Sequence, residues 1–94
     1  MKTTVIQTSG KDWRHIFIVT PDRKVVFVDL MRAMLGWNVR KIEEQGTECW
    51  PVEMSATDIV TWKMQNHDAS IVAEPEAGRL LDLVDKHALS LATL

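Results

Sequence analysis

Two short apolar runs, Ile16–Val19 and Val25–Val28, are separated by Thr20-Pro21-Asp22-Arg23-Lys24. Both runs are β-branched or aromatic and too short for helices, so the pattern predicts two paired antiparallel strands. Pro21 presets the φ needed at the second position of a turn, and Thr20 and Asp22 can bond nearby backbone. If Val19 lies opposite Val25, Phe17 meets Phe27 and His15 meets Asp29. Neither run alternates cleanly with polar residues, so both sheet faces at this hairpin are expected to be covered.

The remaining elements follow in chain order. Val5 and Ile6 support a short strand over Thr3–Thr8, and Ser9-Gly10-Lys11-Asp12 is a turn. Beyond Asp29 the pattern predicts a short helix, Leu30–Leu35, capped by Asp29 and ended by Gly36. Continuing that helix to Glu44 would put Gly36 in its interior at about 1 kcal/mol. Trp37–Glu44 and Thr47–Met54 read as a second hairpin whose loop, Glu44–Gly46, pairs Glu43 with Thr47. Pro51 would hold its second strand at an edge or a bulge. Ser55-Ala56-Thr57-Asp58 has the spacing of a helix N-terminal box, opening a helix to about Gln65 with Ala56, Ile59, Val60 and Met64 inward. Residues 66–70 form a loop and Ile71–Ala73 a short extended piece. Glu74-Pro75 opens the last helix, where Ala77, Leu80, Leu81, Val84, Ala88 and Leu91 make one apolar stripe that Leu83 and Leu89 widen. The expected fold is α+β: an antiparallel sheet of four to six strands with helices packed on it. The C-terminal amphipathic helix is the largest, and the whole chain is expected to form a single domain.

Composition narrows the class. The 94 residues are 46% apolar and 26% charged, as in an ordinary globular protein. No run approaches the ~18 continuous apolar residues of a membrane span. The first thirteen residues lack the apolar core of a signal peptide. A lone cysteine, Cys49, has no internal disulfide partner, and a cytoplasmic location is expected. Charge is uneven: residues 1–42 carry eight basic and three acidic side chains, residues 43–94 three basic and ten acidic. Folded into one small domain, the acids lie within one or two Debye lengths of the bases and cancel much of their field.

The chemistry-bearing residues form no recognised motif. His15, Cys49, His67 and His87 are scattered, without the CxxC, HxxxH or HExxH spacing of a metal site. No glycine-rich phosphate cradle is present. Accordingly, no catalytic residue, metal ligand or cofactor is assigned. Cys49 reads as a small apolar strand residue, and His15 with Asp29 as a cross-strand structural pair. Four tryptophans (Trp13, Trp37, Trp50, Trp62) accompany no tyrosine, and Met31, Met34, Met54 and Met64 join them. Such residues serve either as core fillers or as interface anchors.

The order of an apolar hairpin, Phe27-Val28, Asp29, a short helix and Leu35-Gly36-Trp37 is similar to the start of BRO-type phage and viral antirepressor domains. It covers about a quarter of the chain. The resemblance implies an association with DNA. The spacer between the aromatic residue and the aspartate is shorter here, and no functional residue is carried across.

The function expected first is that of a small non-enzymatic interaction or regulatory protein acting by protein–protein contact. Its apolar central strands need more cover than the helices supply, so a homodimer is expected. Trp13, Arg14, Arg23, Lys24, Trp37 and Trp50 are the candidate partner-binding residues. The second expectation is a nucleic-acid-binding regulator using Lys11, Arg14, Arg23, Lys24, Arg40 and Lys41. The third is a small-ligand binder or enzyme with a tryptophan-lined pocket. No membrane partner is expected.

Overall fold

The structure, a computed structural model, describes residues 2–92, with side chains through residue 87. Four strands, β1 (Thr4–Ser9), β2 (Trp13–Val19), β3 (Val25–Ala33) and β4 (Gly36–Gln45), follow one another along the chain. A 3-10 turn (Thr47–Cys49), helix α1 (Ala56–His67), the two-residue strand β5 (Ser70–Ile71) and helix α2 (Glu76–Ala92) complete it. All neighbouring strands are antiparallel, in the order β4-β3-β2-β1-β5. This is the α+β fold expected, with α2 the longer helix.

The central hairpin has the register its sequence predicts: Val19 faces Val25, Phe17 faces Phe27 and His15 faces Asp29. Its turn is closed by Arg23 N–H donating to the Thr20 carbonyl at 3.0 Å and by Lys24 N–H donating to Thr20 Oγ1 at 3.1 Å. Arg23 takes the left-handed position, with φ 70°.

Because strand side chains alternate, the sheet has two apolar faces and two cores. Val5, Ile16, Ile18, Val28 and Leu30 point to one face, where Ala77 and Leu80 of α2 and Val72 close over them. Leu81, Leu83 and Val84 extend that contact, while the stripe positions Ala88, Leu89 and Leu91 lie beyond the described side chains. Ile6, Phe17, Val19 and Val25 point to the other face, under Ala56, Ile59 and Val60 of α1. The N-terminus of α1 carries the predicted capping box, Ser55 and Asp58 each bonding the other's backbone N–H. Asp68, at φ 51°, ends the helix two residues past the predicted boundary. Residues 70 and 71 add β5 to the edge of β1, and Val72 N–H donates to the Val5 carbonyl at 2.8 Å.

Three local expectations are corrected. Leu30–Leu35 is not a helix: β3 runs through to Ala33, pairing with β2 on one side and β4 on the other. Leu30 is fully buried between Arg14 and Val39, and ladder bonds on both sides outweigh its helix propensity. Gly36 therefore ends no helix. It closes the β3–β4 hairpin at φ 122°, after the turn residues Met34 and Leu35. Thr47–Met54 is not a strand either. Gly46 has φ −74° rather than the positive value of a hairpin loop, and the chain enters the 3-10 turn. Pro51 has no N–H to donate to a ladder. Cys49, expected inside a strand, lies exposed on that turn. As a result β4 has no outer neighbour among the described residues.

Candidate functional site

The face beneath α1 is only half covered. That helix lies over β1, β2 and the start of β3, where Val25 is buried, and leaves β3 beyond Phe27 and β4 open on the same side. Three cross-strand rows cross this open area: Trp13–Met31–Asn38, His15–Asp29–Lys41 and Phe17–Phe27–Glu43. Trp13 is 40% exposed and Met31 47%, side by side in the first row. The β3 strand then carries straight into the hairpin tip, where Met34 and Leu35 are fully exposed. Lys11 and Arg32 flank that end of the sheet. Both are exposed, and Arg32 N–H donates to the Asp12 carbonyl at 2.9 Å. A Cβ at Gly10 would run into the Trp13 indole, so the glycine lets that ring fold back over its own turn.

An unbroken path of rings leads from Trp13 to the far side of α1. Trp13 lies 4.6 Å from His15 between ring centroids, His15 5.3 Å from Phe27, and Phe27 5.4 Å from Phe17. Phe17 then meets His67 at 4.8 Å, and Trp62 stands between His67 and Trp50. His15 Nε2 is 3.4 Å from Asp29 Oδ1. Lys63 Nζ sits over three of these rings, 4.6 Å from Phe17, 5.5 Å from Trp50 and 5.7 Å from Trp62. Burial holds its ammonium below the ordinary lysine value, and the ring faces offset part of that desolvation. His67 is also held below its usual value, first by burial and then by the charges of Lys63 and His15. The cage of rings is thus filled by the chain's own cation. The Trp50 indole N–H beside it is buried without a hydrogen-bond partner.

The six candidate residues do not converge. Trp13 stands on the open face. Arg14 lies on the opposite face, buried, and clamps α2: its Nη1 donates to Glu76 Oε1 at 3.2 Å, its Nε to Gln7 Oε1 at 3.0 Å, and its guanidinium stacks 5.4 Å from the Trp37 ring. Arg23 was expected to be free to reach a partner, but it is engaged internally. Its Nη1 faces the carbonyls of Pro51, Met54 and Val52 at 2.7, 3.1 and 3.3 Å, and its Nη2 that of Thr47 at 3.4 Å. Lys24 is exposed beside it. Trp37 is half-buried under α2 and Trp50 half-buried under α1. Met31 and Met34, read from sequence as core fillers or interface anchors, are exposed, and Leu35 beside them is the residue that sequence reasoning missed, because it was assigned to a helix.

A cleft of about 270 Å³ opens between the start of β1 and the β5–α2 connection, lined among others by Lys2, Thr4, Val72 and Glu74. No tryptophan lines it. Among the described residues, no group of three or more His, Cys, Asp and Glu side chains could hold a metal ion. No described helix is long and apolar enough to cross a membrane. Comparison with protein-family models, with curated proteins and with solved structures finds no match.

Proposed function

We propose that this chain is a small non-enzymatic interaction protein that acts by protein–protein contact and self-associates. The observation that carries this reading is the exposed apolar surface running from Trp13 and Met31 to Met34 and Leu35. Exposed aromatic and methionine side chains gathered at one end of a sheet are what an interface core is made of. Lys11 and Arg32 at its margin favour a partner surface that is apolar at its centre and acidic at its rim. A cytoplasmic setting fits the lone exposed thiol of Cys49. The nucleic-acid reading loses support because two of its six basic residues, Arg14 and Arg23, are spent inside the fold.

A photo-cross-linking amino acid placed at Leu35 tests the reading in living cells, with the same group at the exposed Asp82 as control. The expected outcome is covalent capture of a protein, either a second copy or another chain, from position 35 but not from position 82. Capture of nucleic acid alone, or equal capture from both positions, would overturn it.

A further inference from the structure

We propose that β4 is the seam of a homodimer, its free edge pairing antiparallel with β4 of a second copy about a two-fold axis at Ile42. The inference deepens the protein-contact reading and assigns self-association to a surface separate from the Trp13–Met31 patch. Its starting point is a ten-residue strand at the end of the sheet with no outer neighbour among the described residues. The outward N–H and C=O groups of such an edge are a template for another strand.

The sequence of the strand identifies the occupant. Arg40-Lys41-Ile42-Glu43-Glu44 is the mirror of itself in charge. Antiparallel pairing about Ile42 sets Lys41 against Glu43 of the partner subunit and Arg40 against Glu44 of the partner subunit. The symmetry repeats each pair, giving four opposite-charge contacts. Moving the axis by one residue would oppose Lys41 to itself or Glu43 to itself, and parallel pairing would oppose every like charge. Charges on an edge strand commonly repel other strands. Here an axis at Arg40, Lys41, Glu43 or Glu44 sets a charge against itself, and only the axis at Ile42 pairs every charge with its opposite on a second copy of this strand.

The packing on each face agrees. Ile42 is half-buried against the core under α2, opposite Val28, so an Ile42–Ile42 contact across the axis would extend that core through the seam. On the other face Lys41 Nζ and Glu43 Oε1 already form an exposed ion pair at 2.7 Å. Two such pairs meeting across the axis make an alternating square of charge. The irregularity of the β3–β4 ladder falls at Arg40, which faces no β3 residue, so the inner Lys41–Glu43 contacts lie on regular strand and the outer Arg40–Glu44 contacts at its end. The segment after Gln45 turns away to the carbonyl contacts with Arg23 and leaves the edge open.

Sedimentation velocity on the full chain over a dilution series tests the seam. The wild type is expected to be a dimer. R40E/K41E makes all four charges negative and E43K/E44K makes all four positive, so each is expected to weaken self-association about 100-fold or more. Mixed in equal amounts, the two variants are expected to form a heterodimer. The full exchange R40E/K41E/E43K/E44K, which restores the mirror pattern, is expected to dimerise like the wild type and shows that the substituted strand still folds. A wild type that stays monomeric at about 100 μM, or variants that dimerise unchanged, would overturn the seam, as would a mixture that stays monomeric. A wild-type dimer that survives both edge variants but dissociates in W13S/M31K would overturn the seam while upholding the contact reading.

Discussion

Replacing Arg23 separates two opposing contributions at one residue. Its backbone sits at φ 70°, a conformation that costs a non-glycine residue roughly 1–2 kcal/mol. Its guanidinium reaches four carbonyls in the segment Thr47–Met54, the shortest contact being 2.7 Å to Pro51. Three of those carbonyls share one nitrogen, which has two hydrogens, so about two full charge-assisted bonds are made at once. At the part-exposed position of Arg23 these contribute about 2–3 kcal/mol together. Arg23→Ala removes the bonds and keeps the backbone strain, so it should destabilise by about 2–3 kcal/mol. Arg23→Gly removes both and should cost roughly 1 kcal/mol less than the alanine variant. Urea unfolding measures the two costs. Amide exchange over residues 46–55 should accelerate in both variants, because no ladder holds that segment. Refutation would come from an alanine variant within about 0.5 kcal/mol of wild type, or from a glycine variant less stable than the alanine one.

Two further outcomes follow from the same structure. Arg14→Ala should cost about 2–4 kcal/mol in chemical unfolding, since it strands Gln7 and loses the stack on Trp37, whereas Glu76→Gln, at a 41% exposed carboxylate, should cost under about 1 kcal/mol. His67 is held below its ordinary value of 6.5, so the folded state binds its proton less readily than the unfolded chain does. Stability should therefore be complete above that value and fall as pH drops through and below it. A melting-temperature series from about pH 7.5 to about pH 5 should show a shallower decline in His67→Gln, and identical declines would refute the assignment.

The parts legible in the sequence were those fixed by neighbours in the chain. Thr20-Pro21-Asp22-Arg23-Lys24 between two β-branched runs specified a turn and a register together. Ser55 and Asp58 marked the start of α1, and the stripe from Ala77 to Val84 marked α2. What failed depended on partners far along the chain. Leu30, Met31, Arg32, Ala33, Met34 and Leu35 are nearly all good helix formers, and only the strands on both sides make them extended. Thr47–Met54 carries strand-like residues but is held by turn bonds, by Trp50 and Met54 packed on the core, and by the distant Arg23. Lys63 sits between Ile59 and Met64 on the buried side of α1, and no spacing rule announces that its ammonium lies against three rings. The candidate surface was hidden for the same reason as β3, since a helix would have placed Met31, Met34 and Leu35 on one helical face and given no sign that they gather at a hairpin tip beside Trp13.

The strand order also carries a kinetic consequence. The pairs β1–β2, β2–β3 and β3–β4 each join consecutive segments, so most of the sheet can zip up through short loop closures. β5 alone comes from a distant part of the chain, joining β1 where Ile71 faces Ile6. It lies between α1 and α2 in sequence, and those helices cover opposite faces. Docking β5 is therefore the event that commits both cores at once. The Val72 amide, bonded to Val5, is the natural exchange reporter for that last step, and the amides of β2 and β3 should report the slowest opening of the molecule.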